Sequence, residues 1–150
     1  HNNLGMALAD KGQWREAVAA FERATLLEPT SAKAHRNLGN ALSSLGDDTR
    51  AFEHLSRATT LAPAEAETHY DLGVFLLEHD RHAEAANALA AAIRMRPNYA
   101  EAHNNLGIAI GSLGDLDRAI AEFEEALRQA PGFEDAARNL DTARRARRAP

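Results

Sequence analysis

Apolar residues recur along the chain at spacings of three and four, which aligns them on one face of an α-helix. The pattern is itself periodic. Leu4-Gly5, Leu38-Gly39, Leu72-Gly73 and Leu106-Gly107 stand 34 residues apart. The same interval separates Ala17, Ala51, Ala85 and Ala119; Phe21, Leu55, Leu89 and Phe123; Ala24, Ala58, Ala92 and Ala126; and Pro29, Pro63, Pro97 and Pro131. No insertion or deletion disturbs these columns, and two points of punctuation divide each unit. The first is a turn at Lys11-Gly12, Leu45-Gly46-Asp47 and Leu113-Gly114-Asp115, where glycine can adopt the left-handed conformation that ends a helix and aspartate can cap the next. The second is the proline column, which cannot continue a helix interior. Each unit is therefore predicted to hold two helices, A and B.

The glycine after each leucine falls in mid-helix, where it costs about 1 kcal/mol relative to alanine. Close approach of helix B is the expected reason, with Ala17, Ala51, Ala85 and Ala119 as the small residues opposite. The third unit replaces the glycine turn by His79-Asp80-Arg81-His82, so Asp80 is expected to take the left-handed conformation. A histidine column, His1, His35, His69 and His103, stands early in helix A.

These columns resemble the tetratricopeptide repeat, with its leucine-glycine pair in helix A, alanines and an aromatic in helix B, and proline at the end. The resemblance covers the whole chain, in which the histidines replace the aromatic of helix A. It implies an all-α, right-handed solenoid of four helix-turn-helix repeats plus a C-terminal capping helix. The chain is expected to form a single domain, 1–150, with repeats 1–31, 32–65, 66–99 and 100–133 and a cap at 134–150, where Asp141 stands in place of the glycine.

In that family the exposed stripe of helix A lines a concave groove that binds peptides. Carried over residue by residue, the groove would present Asn3, Asn37, Asn40, Tyr70, Asp71, Val74, Leu77, Asn104, Asn105, Ile108 and Asn139. One column, Asn3, Asn37, Asp71, Asn105 and Asn139, could pair through its carboxamides with both the C=O and N–H groups of an extended peptide. The Ala-His-x-Asn-Leu-Gly pattern around Asn37 and Asn105 is similar to the superhelix of O-linked N-acetylglucosamine transferases, whose asparagines hold peptide backbone. The alternative is that the column bridges neighbouring helices. If it faces solvent, removing its amides should spare stability. Tyr70, Val74 and Leu77, with Ile108 beside them, would form an apolar anchor in the groove unless the aliphatic pair turns inward.

Composition narrows the function. Hydrophobic residues make up 45% and aromatics only 5%, while 33 residues are alanine, so small side chains must tile the interfaces between helices. There is no cysteine, which removes disulfides and thiol chemistry. A net charge of −5 argues against general nucleic-acid binding. The five arginines from Arg138 onward form a local basic end, suited to the negative pole of a helix or to an anionic partner. Histidines one repeat apart are too distant to share a metal, and His79 and His82 lack a third ligand in the sequence pattern, so neither a metal nor a cofactor is expected. A carboxylate clamp would need bases on successive repeats, and Lys33 and Arg36 are followed by Glu67 and Tyr70. No nucleophile motif or phosphate loop is present, and the chain is expected not to be an enzyme.

The expected function is a non-catalytic scaffold for a protein or peptide partner, without nucleic acid or a membrane span. Alternatives are end-to-end self-assembly as a homo-oligomer or filament, or the substrate-recruiting arm of a larger glycosyltransferase or methyltransferase. The chain opens at His1 without a methionine. That leaves open a start upstream and a targeting segment with it; a cytoplasmic location is the default expectation.

Overall fold

The computed structural model describes residues 1–148, and among these the chain has helices and no strand. The helices are α1 (Asn2–Ala9), α2 (Trp14–Leu27), α3 (Ala32–Ser44), α4 (Asp48–Leu61), α5 (Ala66–Glu78), α6 (His82–Met95), α7 (Ala100–Ser112), α8 (Leu116–Gln129) and α9 (Glu134–Arg148). The all-α helical-repeat fold is thus the one the periodicity predicts. Helix α9 occupies the stretch expected to cap the array; Ala149 and Pro150 lie outside the described residues.

The contacts group into two compact units that divide between Leu72 and Gly73, within α5. In the first, α1 packs on α2, α2 on α3 and α3 on α4. Its core is built from Ala17, Phe21, Leu38, Leu42 and Leu55. In the second, α6 packs on α7, α7 on α8 and α8 on α9, around Leu89, Ala92, Ile110, Phe123 and Ala136. Burying each large aliphatic side chain contributes about 1.5–3 kcal/mol, and the alanines let the helix axes approach.

The mid-helix glycines do mark close approach, but the residues opposite are not the alanine column. A Cβ at Gly5 would lie 2.5 Å from Phe21, at Gly39 2.7 Å from Leu55, at Gly73 2.6 Å from Leu89 and at Gly107 2.6 Å from Phe123. Each glycine makes a hollow into which the large side chain of helix B fits. A small residue facing another small one would have left a void there.

The A-to-B turns share one construction. The N–H groups of Gln13, Asp47, Arg81 and Asp115 donate to the carbonyls of Leu8, Leu42, Leu76 and Ile110 at 2.9, 3.0, 2.9 and 3.2 Å. This six-residue closure satisfies carbonyls left over at a helix C-terminus. It requires a left-handed residue, supplied by Gly12, Gly46 and Gly114 at φ 72°, 78° and 92°, and by Asp80 at φ 56°. Asp47 and Asp115 then cap the following helices, accepting from the N–H groups of Arg50 and Arg118 at 3.3 and 3.1 Å. Asp80→Gly should raise stability by about 0.5–1 kcal/mol, the left-handed strain relieved less the extra entropy of an unfolded glycine. Urea denaturation would check the sign.

The histidine column also has a physical account. His35, His69 and His103 direct Nε2 at the carbonyls of Pro29, Pro63 and Pro97, at 3.1, 3.0 and 3.2 Å. The ring occupies the aromatic position, and its N–H donates to an inter-repeat carbonyl; at Pro97 the carbonyl also accepts from Gln129 Nε2 at 3.0 Å.

Candidate functional site

The exposed stripes of the A helices bring the predicted amides together, mostly in contact with one another. In the first unit, Asn37 of α3 donates through Nδ2 to Oδ1 of Asn2 on α1 at 3.0 Å. Asp71 of α5 accepts from Nδ2 of Asn40 at 2.8 Å and lies 3.5 Å from Nε of Arg36, both on α3. In the second unit, Asn139 of α9 donates to Oδ1 of Asn104 on α7 at 2.9 Å, and Asn104 donates to Asn105 at 3.2 Å. The two amide bridges occupy equivalent positions and span 35 residues each, one more than the repeat.

This bonding corrects the picture of a solvent-facing column. Asn37, Asp71, Asn105 and Asn139 are half-buried, and Asn104 is 5% exposed. Asn3 and Asn40 are exposed. Truncating Asn37 or Asn139 removes a bridge between A helices, so each alanine variant should lose about 1 kcal/mol rather than leave the melting temperature unchanged.

Beside each amide bridge lies a slot. In the second unit Ile108, Gly111, Ser112, Leu116, Phe123, Asn139 and Ala143 are among the residues that line about 260 Å³. In the first, Met6, Ala9, Asp10, Trp14, Phe21, Asn37 and Ala41 are among those that line about 140 Å³. Each of these positions in the first unit lies three repeats before its counterpart in the second. The slot is therefore a product of the repeat geometry, formed where one A–B pair meets the next A helix. It is wider in the second unit, where Gly111 takes the position held by Ala9 in the first.

The tetratricopeptide repeat model matches residues 2–66 and 70–132, most of the chain. The chain belongs to the tetratricopeptide repeat family. No curated protein matches it at a significant level. Among solved structures, MamA is similar at 28% identity and a TM-score of 0.87, over 95% of this chain and 84% of that one. A form of MamA spanning residue 41 to the end, from Desulfovibrio magneticus RS-1, is similar at 23% identity and a TM-score of 0.88, over 97% and 82%. YrrB, described as a TPR protein with an unusual peptide-binding site, is similar at 23% identity and a TM-score of 0.82, over 97% and 75%.

The remaining predicted site residues of this tetratricopeptide chain divide between the units. Tyr70 belongs to the first and Val74, Leu77 and Ile108 to the second. Tyr70, Val74 and Leu77 are half-buried, while Ile108 is 36% exposed at its slot. Four of the five terminal arginines pair with acids. Arg144 pairs with Glu124 at 2.7 Å, Arg145 with Asp141 at 2.7 Å, Arg147 with Asp117 at 3.0 Å, and Arg138 with Asp135. Arg36, considered for a clamp, faces Asp71. Among the described residues, no three histidine, aspartate or glutamate side chains converge as a metal would require, and no helix is long and apolar enough to cross a membrane.

Sequence reasoning missed Trp14, Phe21, Leu116 and Phe123 as slot walls: Phe21 and Phe123 stand in the column of large helix-B residues, and the column of Trp14 and Leu116 is interrupted by Asp48 and His82. The signal that could have found the slots is the change down one column, Ala9, Ser43, Leu77 and Gly111.

Asp71 is the one acid in the asparagine column. Burial pushes its carboxyl above the usual range, against the opposing hydrogen bond from Asn40 and the charge of Arg36. The folded state consequently binds this proton more tightly than the unfolded chain, and Asp71 adds stability as pH falls through the carboxylate range. Asp71→Asn removes that gain. Its melting temperature relative to wild type should fall between pH 7 and pH 4; a difference that is flat or rising with acid would refute the linkage.

Proposed function

We propose that this chain is a protein-interaction scaffold whose A-helix faces bind an extended peptide segment of a partner. The amide column contacts the peptide backbone and the adjacent slots receive side chains. The observation that carries this reading is the recurrence of an apolar slot beside Asn37 and again beside Asn139. A carboxamide presents one acceptor and two donors, and the bridge to Asn2 or Asn104 uses one donor of each. A hydrogen-bonding edge next to a slot matches what an extended chain offers, with backbone and side chain alternating. YrrB, of the same fold, has a peptide-binding site by its description, which supports the class of ligand.

Each hydrogen bond contributes about 0.5–1.5 kcal/mol net, so a few amide contacts and one or two filled slots fit micromolar affinity, about −8 kcal/mol. The test is a peptide-array screen followed by calorimetry on the binders. Asn37→Ala or Asn139→Ala should weaken peptides of unrelated sequence by about tenfold. Gly111→Leu places a side chain in the second unit's slot and should change which peptides bind, since a Cβ there meets only the Ala119 Cβ at 3.4 Å. Binding that survives all three variants unchanged would remove the A-helix faces as the site.

A further inference from the structure

The helix-B position 19 residues after each histidine of the column differs from repeat to repeat: Ala20 in the first, His54 in the second, Ala88 in the third and Glu122 in the fourth. In the second repeat, Nδ1 of His35 on α3 lies 2.9 Å from Nδ1 of His54 on α4, with the ring centroids 5.1 Å apart. The Pro29 carbonyl fixes the tautomer of His35. It can only accept, so Nε2 of His35 carries a hydrogen, and Nδ1 of the neutral ring is an acceptor. His54 must then donate from Nδ1. In the fourth repeat, His103 meets an acceptor on both sides, the Pro97 carbonyl at 3.2 Å and Oε2 of Glu122 at 2.7 Å. That contact closes only with one more hydrogen, placed between Nδ1 and the carboxylate.

We propose that His35 and His54 form a proton-gated clasp between α3 and α4, closed while the two Nδ1 atoms share one hydrogen and opened when acidification places a hydrogen on both. Two imidazolium rings have no acceptor between them and repel at this distance. The charged groups acting on His54 are His35 of α3, Arg50 and Glu53 of α4, and Glu22 of α2, which is itself paired with Arg50. Burial, then the neighbouring His35, holds the His54 imidazole below the usual histidine range. The folded state thus binds fewer protons than the unfolded chain, and stability present above about pH 6.5 is lost as pH falls below it. The chain's own repeats supply the controls, since alanine and glutamate both occur at this position.

The experiment is hydrogen exchange on the full chain at pH 7.5 and pH 5.5, corrected for intrinsic rates, with α6, which carries alanine at the equivalent position 88, as internal reference. One linked proton changes an opening equilibrium by at most about tenfold per pH unit. In the wild type, α3 and α4 should exchange about fivefold to tenfold faster relative to α6 at the lower pH. His54→Ala should bring that ratio within about twofold of constancy, and His54→Glu, which copies the fourth repeat, should reverse its sign. Nitrogen-15 spectra at pH 7.5 should show His35 protonated at Nε2 and His54 at Nδ1. A wild-type ratio unchanged by pH, a His54→Ala chain with wild-type pH dependence, or His54 protonated at Nε2 would each overturn the clasp.

Discussion

Gly73→Leu is expected to unfold the packing between α5 and α6 and to cost more than about 3 kcal/mol. A Cβ at position 73 would lie 2.6 Å from Cγ of Leu89 and 2.9 Å from its Cδ2, closer than side-chain carbons pack. Leu89 is 0% exposed and has no space into which to withdraw. The main-chain nitrogen of Leu89 is 3.4 Å away, ordinary contact for a Cβ but with no room for leucine's three further carbons, which would force the helices apart. Overpacking by a methylene or two costs about 1–3 kcal/mol, and leucine adds four carbons. For a chain of this size the loss corresponds to a drop of roughly 6–12 °C in melting temperature. Gly132→Ala, where nothing lies within 4 Å, is the control and should be nearly neutral. If Gly73→Leu melted with wild type, the close approach at the glycine column would be wrong.

Phe123→Ala should be comparably damaging, at about 3–5 kcal/mol, because it empties a buried site whose walls are fixed by helix packing. Phe123 is 4% exposed, fills the hollow at Gly107 and walls the slot in the second unit. Two companion variants separate these roles. Phe123→Leu should cost less than about 1.5 kcal/mol, since the second and third repeats seat leucine against the same glycine. Adding Gly107→Ala to Phe123→Ala should recover about 1 kcal/mol, because the new methyl group enters the vacated space. Denaturation of wild type, Phe123→Ala, Gly107→Ala and the double variant gives a double-mutant cycle whose interaction energy must be favourable; additive losses would show that glycine and ring are not in contact.

The fold was legible because it is written in columns. Leucine, glycine, alanine and proline each impose a local condition, and four copies of each condition leave little choice. The site was only half legible. Spacing showed that Asn37 and Asn139 hold the same position in their repeats, but not that neighbouring A helices come close enough for each amide to reach the residue 35 positions earlier. That distance depends on how far the alanines let the helices approach. Size matching between columns also misled. Small residues were expected opposite the glycines, whereas a missing Cβ is best filled by a ring or a branched chain. The slots escaped notice because a void has no residue of its own; it appears only where Gly111 or Ala9 fails to fill the space between three helices. Asp80 was readable because a turn with a fixed hydrogen-bond pattern demands one conformation, whichever residue occupies it.

The histidine hook has a consequence for building with this chain. Each imidazole holds the carbonyl of a proline six residues before it, so the end of one sequence motif is fastened to the start of the next. A graft joined at the proline would part the ring from its carbonyl unless the incoming segment brought a matching histidine. A graft joined in the turn between helices A and B severs only main-chain bonds that any sequence with a left-handed residue can restore. A block beginning at Asp47 carries the Pro63–His69 hook whole. Shuffled arrays made from these repeats should therefore hold together best when cut in phase with the turns, half a motif away from where the sequence pattern invites the cut.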